Sequence, residues 1–351
     1  MKPQPYVHPS VWRGPELATR DDWIIHLDSN DVAEMEAALV QARSRGTGIP
    51  ALKREDFPLP QLAPKIRQVY EEMAKGRGFV LVRGLPIQRY SKADAALIYW
   101  GLGMHLGSAA AQNAQGDVLG HVRDLGADWK TNMKARGYQT RSHLPFHNDS
   151  TDVVGLLCLH EAKSGGESRI VSSTAIHNEI LAERPDLWKV LCEPFCVDRR
   201  GEESEGQKPF YVTPCFNMLH GKLFVRYNRN YIQTAQRLPE VPRLSAQQDE
   251  ALEMMDSLCN DPRFYLDMSL EPGDMQFICN YVVLHSRTDY EDWPEPQRKR
   301  HLLRLWLWLS GDAFKELPAA FADRNSDMLA WQSHPRSPLF DLAEIAAELS
   351  H

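Results

Sequence analysis

The chain has 351 residues, of which 43% are hydrophobic and 25% are charged, and these proportions are typical of a globular protein with a sizeable core. The formal net charge of -7 excludes the strongly basic surface of proteins that coat nucleic acids. The sequence contains no apolar run long enough to span a bilayer, and its first residues lack the apolar core of a secretion signal.

Six cysteines are scattered through the sequence without a Cys-x-x-Cys pair. This pattern is typical of reduced, mostly buried thiols and not of a disulfide framework or a zinc site. Together with the N-terminal composition, it predicts a cytoplasmic protein. We expect neither a nucleic-acid partner nor a membrane partner, while assembly into a homo-oligomer stays open.

The first 60 residues are predicted to form an N-terminal arm and a helix. Apolar residues recur at helical spacing in 31–42, and a stretch containing Pro and Gly follows at 46–60, which indicates a linker or an arm. Two further helices with a short apolar strand between them come next. Their predicted ranges are 64–75, 79–82 for the strand, and 92–106, with Ser91 as the N-cap of the last helix.

From about residue 108 the pattern changes to short strands separated by turn residues. Many short strands with a few helices are typical of two packed sheets. We therefore predict a mainly β fold with α decoration, a double-stranded β-helix (jelly roll) with flanking helices. The jelly-roll domain is assigned to 61–311, and 312–351 to C-terminal loops and a helix packed on the same domain. The predicted strands are 118–122, 143–149, 153–159, 169–172, 210–217, 223–227, 264–270, 275–279 and 301–309, and the predicted helices are 174–181, 185–191, 245–259 and 339–349.

A His-x-Asp pair, His147 and Asp149, stands just before the apolar run 153–159. In an extended chain, residues i and i+2 point to the same side, so this imidazole and this carboxylate can face one point. Two histidines and one carboxylate form the facial triad that holds non-haem Fe(II) and leaves coordination positions open. Because His-x-Asp pairs also arise by chance, the assignment needs a third ligand from elsewhere in the sequence.

His285 is the candidate third ligand, since a Gly-Asp turn signal and an apolar run lead up to it. Arg300 and Arg304 follow, and their spacing of four residues puts both guanidinium groups on one face of the last long strand. Arginine in so apolar a strand is costly to bury unless it meets an anion, and its planar fork matches a carboxylate. A dicarboxylate co-substrate, bound to the metal at one end and to Arg300 at the other, explains this pattern.

These residues, in this order, resemble the taurine dioxygenase (TauD/TfdA) type of Fe(II)/2-oxoglutarate-dependent oxygenase. The similarity covers roughly residues 75–310. It includes the Gly-Gly-Glu-Ser turn at 165–168 and the segment 77–85, which is similar to the strand that opens the domain in that family. The resemblance implies that His147, Asp149 and His285 are the iron ligands and the catalytic centre.

The resemblance also implies roles for the residues that would hold 2-oxoglutarate. The hydroxyl of Ser168 and the guanidinium of Arg300 would bind its far carboxylate. Arg304 would lie near its metal-side carboxylate or near the substrate. Glu167 and Ser168 stand where the family has Asp and Thr, and both keep the chemistry of the position.

The implied activity uses Fe(II) and O₂ and couples decarboxylation of 2-oxoglutarate, to succinate and CO₂, to hydroxylation of a small organic substrate. Asp149 favours hydroxylation, because relatives that halogenate have a small residue at this position. Desaturation and ring formation stay open. Two other classes are a non-catalytic, cupin-like protein that binds metal and 2-oxoglutarate, and a metal-dependent oxygenase or isomerase that does not use 2-oxoglutarate. Arg300 argues against the latter, which needs no buried cation in that strand.

The substrate itself is not identified by these motifs. Arg287 follows the distal histidine, Arg226 lies in a segment that mixes aromatic and cationic residues, and Asn113 lies in the long loop before the His-x-Asp pair. We predict these three as substrate contacts, and the arginines indicate an anionic substrate. Trp306 and Trp308 are interpreted as core residues. The N-terminal segment is expected either to cover the site or to form an interface between copies of the chain.

Overall fold

The computed structural model describes residues 3–46, 48–126, 136–203 and 206–337. The α-helices are α1 Gly14–Ala18, α2 Ser29–Ser44, α3 Ala63–Ala74, α4 Lys92–Leu106, α5 Ser173–Glu183, α6 Pro185–Leu191, α7 Arg229–Ala235, α8 Ala246–Cys259 and α9 Ala322–Trp331. Short 3-10 helices cover Arg54–Asp56, Ile87–Arg89, Gly137–Gln139, Pro296–Arg298 and Ala319–Phe321. Among the helices described, none combines the length and the apolar character needed to cross a membrane.

The strands lie between these helices along the chain. They are β1 Ile24–His26, β2 Phe79–Arg83, β3 Gly107–Ala109, β4 Leu119–Val122, β5 Leu144–His147, β6 Val153–His160, β7 Ser164–Gly165, β8 Ser168–Ser172, β9 Pro194–Asp198, β10 Phe210–Pro214, β11 Phe216–Leu219, β12 Lys222–Val225, β13 Tyr265–Met268, β14 Met275–Cys279, β15 Val283–Arg287, β16 Tyr290–Glu291 and β17 His301–Leu309. The predicted bounds of α4, α6, β14 and β17 are confirmed.

Two sheets make up the centre of the fold. The larger has the order β1-β2-β14-β6-β17-β3, with β4 also paired to β17, and the smaller has the order β13-β8-β15-β5. Their inner faces pack together, since Phe79, Ile278 and Trp306 of the larger sheet join Ile170 and Val283 of the smaller in one buried apolar cluster. This arrangement, a double-stranded β-helix with flanking helices, confirms the predicted fold class.

Strand β17 is buried on both faces, which explains its almost continuous apolar sequence. Leu303, Leu305 and Leu307 point toward the helices on the outside of the larger sheet. The alternate residues Arg304 and Trp306 point inward between the sheets, next to Asp149. The even spacing along this strand therefore delivers one cation and one indole to the interior, as strand periodicity requires.

Helices cover the outer face of each sheet. α2, α3 and α4 pack over the larger sheet, and Ser91 caps α4 by accepting the backbone N–H of Asp94. α5, α6 and α8 pack over the smaller sheet, where Ile176, Leu187 and Leu252 share a buried cluster with Leu284 of β15. Helices thus shield the apolar outer face of each sheet from water.

Several predicted elements need correction. Of the two readings of 46–60, a linker or an arm, the structure favours an arm, because Leu52 and Phe57 are buried in the same core cluster as α4. The segment before them also adds β1 to the larger sheet by parallel pairing with β2. The predicted strand 210–217 is two strands in two different hairpins. Helix α9 occupies part of a tail predicted as loops, and the predicted helix 339–349 lies outside the described residues. The domain boundaries stay a prediction.

Asp152, the residue before β6, is only 4% exposed and joins three segments that are distant in the sequence. One carboxylate oxygen accepts the Tyr281 hydroxyl at 2.7 Å, and the other accepts the Leu309 backbone N–H at 2.8 Å. Burial raises the pKa of Asp152 to about 6, although both hydrogen bonds oppose this shift. The loop that carries Asp149 is therefore anchored by a carboxyl group that burial penalises when it is charged.

Asp152→Asn should remove the loss of unfolding free energy that ionisation of the buried Asp152 carboxyl group causes. The amide can accept from Leu309 and donate to Tyr281. Because the folded pKa lies above the unfolded value near 3.9, the wild type loses up to about 2–3 kcal/mol of unfolding free energy as pH rises from about 4 to 7. The variant should lack this loss when unfolding is measured by denaturant titration across that range. An identical pH profile in the two proteins would contradict the role of Asp152.

Candidate active site

Three side chains of metal-ligand type meet between the two sheets. Strands β5 and β15 are antiparallel neighbours that place His147 directly opposite His285, with ring centroids 4.3 Å apart. Asp149, two residues beyond β5, brings its Oδ1 to 4.0 Å from His147 Nε2 and its Oδ2 to 3.9 Å from His285 Nε2. One ligand atom from each residue lies within 4.8 Å of the others, so a single ion can contact all three.

The protonation states of the two imidazoles suit metal binding. His147 Nδ1 lies 2.8 Å from the carbonyl oxygen of Pro145, so Nδ1 carries the proton and the Nε2 lone pair faces Asp149. Burial lowers the pKa of His147. Burial, with the neighbouring His147, lowers the pKa of His285 to about 3. Both rings are therefore neutral ligands at ordinary pH.

Asp149 is held as a carboxylate. Burial alone would raise the pKa of Asp149, but Arg304 and the two histidines outweigh it and lower the pKa. Trp306 Nε1–H donates to Asp149 Oδ2 at 2.8 Å, and Arg226 Nη1 donates to its backbone oxygen at 2.9 Å. Two neutral imidazoles and one ionised carboxylate fit a divalent transition metal such as Fe(II).

Trp306 was expected to be a core residue, and it is buried, but its N–H also orients a ligand carboxylate. The signal for this role is its position two residues after Arg304, which puts both side chains on the inward face of β17. Asn280 is a second residue that sequence analysis missed. Its side-chain oxygen accepts the backbone N–H of Asp149 at 3.0 Å.

Buried cations line one side of the centre. Along β15 and β8, Arg287 is opposite Ser168, and Arg287 lies two residues beyond His285 on the same face. Arg300 reaches the same region, and its guanidinium and that of Arg287 lie 5.1 and 4.9 Å from the ring of Tyr290. The structure therefore brings Ser168, Arg300 and Arg287 together.

Neither guanidinium of this group forms an ion pair within the part of the chain that the structure describes. No carboxylate oxygen of these residues lies within 4 Å of Arg287 or Arg300, and Nη1 of each lacks a hydrogen-bond partner there. Burial lowers the pKa of Arg300, and burial together with Arg300 lowers the pKa of Arg287 to about 10. A buried pair of like charges is costly without an anion. The hydroxyl of Ser168, which lies opposite Arg287 in the sheet, donates to Gln276 Oε1 at 2.9 Å.

The glycine turn before Ser168 makes room for this group. Gly166 has φ +78°, and a Cβ on it would lie 2.9 Å from Arg300 Nε. A side chain there would both strain the backbone and push Arg300 away. Arg300 instead donates to the carbonyl oxygen of Gly166 at 3.3 Å.

An open pocket leads to the His–Asp–His cluster, and His147 and Asp149 form part of its wall. Arg304 and Arg226 line it, and Arg304 lies 3.9 Å from Asp149 Oδ2 and donates to Gln112 Oε1 at 2.8 Å. Asn113 does not line the pocket, because its side chain binds Asp117 within a turn. Of the three predicted substrate contacts, the structure therefore places only Arg226 in the described pocket wall, since Arg287 lies beside Arg300.

The family model described as "Taurine catabolism dioxygenase TauD, TfdA family" matches residues 44–306. The chain belongs to this family. It is therefore an enzyme of the dioxygenase class, which confirms the resemblance that the motifs indicated.

The dioxygenase is similar over most of its length to two curated relatives. It is 33% identical over 312 residues to FR-33289 synthase of Streptomyces rubellomurinus (strain ATCC 31215). The aligned residues cover 87% of this chain and 90% of that protein. It is 32% identical over 308 residues to taurine hydroxylase-like protein SAT17 of Stachybotrys chartarum (strain CBS 109288 / IBT 7711), covering 84% and 77%. Its fold is similar to the non-heme iron oxygenase OrfP, solved with Fe and α-ketoglutaric acid, with a TM-score of 0.61 at 14% identity over 85% of this chain and 98% of OrfP.

Trp306→Phe should weaken Fe(II) binding to the dioxygenase by about 10- to 100-fold, because an outer hydrogen bond to a ligand carboxylate is lost. Trp308→Phe is the matched control, since Trp308 lies on the same face of β17 and its buried N–H has no partner. Anaerobic Fe(II) titration by calorimetry measures both, with circular dichroism as the check on folding. Equal Fe(II) affinity in the two variants would show that the Trp306 hydrogen bond to Asp149 does not contribute to metal binding.

Proposed function

We propose that this dioxygenase uses Fe(II), 2-oxoglutarate and O₂ to hydroxylate a small anionic organic substrate, with release of succinate and CO₂. The observation that carries the proposal is the convergence of His147, Asp149 and His285 beside buried guanidinium groups that lack an anion. Iron, when bound with 2-oxoglutarate and O₂, supplies the oxidant that replaces a C–H bond by C–OH. The Fe and α-ketoglutaric acid in the OrfP structure support this choice of cofactors.

The ligand residues hold the metal from one side. His147 and His285 offer Nε2 lone pairs, and Asp149 offers an oxygen that Trp306 does not saturate. Three ligands on one face leave the opposite face for co-substrate and O₂. Asp149 also occupies the position that a halide would need, which supports hydroxylation.

We assign Arg300, Ser168 and Arg287 to the far carboxylate of 2-oxoglutarate. Arg300 Nη1 and two nitrogens of Arg287 are buried and have no partner among the described residues, so a carboxylate there would satisfy them all. The Ser168 hydroxyl can rotate from Gln276 to donate to the same group. This assignment moves Arg287 from the predicted substrate contacts to the co-substrate end. Arg304, near Asp149, is assigned to the metal-side carboxylate.

Arg300→Gln should raise the KM for 2-oxoglutarate by about 30- to 100-fold, because one buried, charged hydrogen-bonding group is lost. Fe(II) affinity should stay unchanged. Arg298→Gln is the matched control, since Arg298 is half-exposed and stacks on Trp293 at 3.5 Å. Succinate release as a function of 2-oxoglutarate concentration is the measurement. An unchanged KM in Arg300→Gln would disprove the assignment of the co-substrate site.

Asp149→Ala should abolish substrate-coupled succinate release, since the carboxylate ligand is removed from the centre. Asp267→Ala provides a control, because that carboxylate pairs with Arg169 on the surface. Product formation is measured by mass spectrometry alongside succinate. Product yield at the wild-type level in Asp149→Ala would exclude Asp149 from the ligand set and with it the proposed mechanism.

A further inference from the structure

Asp149 differs from the other two ligand residues in how the fold holds it. His147 and His285 lie on β5 and β15, which pair with each other, and β15 also pairs with β8. Asp149 lies two residues beyond the end of β5 and belongs to none of the described strands. Because no sheet ladder satisfies its backbone N–H and C=O, other groups must do so when the residue is buried.

Two buried side chains bind the backbone of Asp149. The side-chain oxygen of Asn280 accepts its N–H at 3.0 Å, and Arg226 Nη1 donates to its carbonyl oxygen at 2.9 Å. Asn280 Nδ2 also donates to the carbonyl oxygen of Thr151 at 3.0 Å. The amide of Asn280 therefore spans the turn between β5 and β6, with one atom bonded to Asp149 and the other to Thr151.

Asn148, the residue between two of the metal ligands, connects the segments that carry these side chains. Side chains alternate along an extended chain, so Asn148 points away from the side that its two neighbours share. Its Nδ2 donates to the carbonyl oxygens of Val225 and Asn280, each at 2.7 Å. Its Oδ1 accepts the backbone N–H of Tyr227 at 3.0 Å. The amide thus binds the chain on both sides of Arg226 and the backbone of Asn280.

The two amides are buried and their hydrogen-bonding capacity is used. Asn148 is 6% exposed and Asn280 is fully buried, and each is bonded through both its side-chain nitrogen and its side-chain oxygen. Any other arrangement of this loop would leave buried backbone groups without partners, which is costly. A network of this kind selects one conformation of the loop.

We propose that Asn148 and Asn280, the ligand-loop amide pair, are positioning residues that hold Asp149 in place as a metal ligand. Asn148 fixes the two segments that supply Asn280 and Arg226, and these in turn fix the N–H and C=O of Asp149. Both asparagines act through Asp149. The inference rests on the proposed function for the identity of the metal and adds the residues that set the position of its carboxylate ligand.

Metal binding by the full chain tests the proposal, with Co(II) as the probe. Co(II) accepts the same nitrogen and oxygen ligands as Fe(II), is stable in air at neutral pH, and has a visible absorption that depends on its coordination geometry. Calorimetry on metal-free protein, well below the thermal midpoint, measures the affinity of the folded state. The visible spectrum of the Co(II) complex is recorded on the same samples.

Asn148→Ala and Asn280→Ala should each weaken Co(II) binding by about 10- to 100-fold and change the visible spectrum of the complex. The physical reason is that a freed loop holds the Asp149 carboxylate at the site for only a fraction of the time, and the apparent affinity falls by that fraction. Because the two amides act through one network, the double variant should lose no more than about threefold beyond the weaker-binding single variant.

Asn217→Ala is the matched control. Asn217 is also a buried asparagine, 8% exposed, and its Nδ2 donates to the carbonyl oxygen of Pro214 at 2.9 Å. It lies in the β11–β12 hairpin and does not line the pocket. This variant should leave the affinity for Co(II) and the spectrum at their wild-type values, even if its thermal midpoint falls. Circular dichroism verifies folding of all variants.

The outcomes separate this inference from the proposed function. Weaker Co(II) binding in the folded asparagine variants supports the pair even if the wild type never releases succinate, a result that contradicts the proposed function alone. If one single variant does not fold, the other decides. Wild-type affinity and spectrum in a folded variant, multiplied losses in the double variant, or loss of folding in both single variants would overturn the inference. A wild type that binds no Co(II) contradicts both.

Discussion

The site depends on the register between β5 and β15. Antiparallel pairing sets His285 opposite His147, and a shift of one residue would turn His285 to the helix-covered side of the sheet. The register is held from both sides, because β15 also pairs with β8 over five residues. The Ser286 hydroxyl adds a bond to the Leu144 carbonyl oxygen at 2.8 Å. Backbone pairing therefore positions two ligands before any metal binds.

Buried positive charge is the second constraint on the interior. Arg287 and Arg300 lie together beside Tyr290, and Arg226 donates to the backbone oxygen of Asp149. All three are buried and have no carboxylate partner within 4 Å among the described residues. A buried guanidinium group without a counter-charge lowers the stability of a protein. The large apolar clusters on both sides of the two sheets offset this cost. Under the proposed function, the anions that these guanidinium groups bind would recover part of this cost.

Much of the fold was predictable where the signal is local. α4 and β17 have long, regular apolar patterns, and their bounds were predicted correctly. The three-residue strand β1 has too little pattern and forms because β2 offers it a partner. The same distinction holds in the site: His147 and Asp149 form a local motif, whereas the bond from Trp306 to Asp149 joins residues 157 positions apart.

By itself, the sequence determined the chemistry that the protein can perform, through a His-x-Asp pair, a distal histidine and arginines on one face of an apolar strand. Strand periodicity is enough to place such residues on a common face. Only the tertiary structure decided that Arg287 lies with Arg300 and that Asn113 lies outside the pocket. It also brought the side chain of Asn280 to the backbone of Asp149, 131 positions away in the chain. The reason is physical: the end of the site that a side chain reaches depends on pairings between segments far apart in the chain, and local pattern does not encode those pairings.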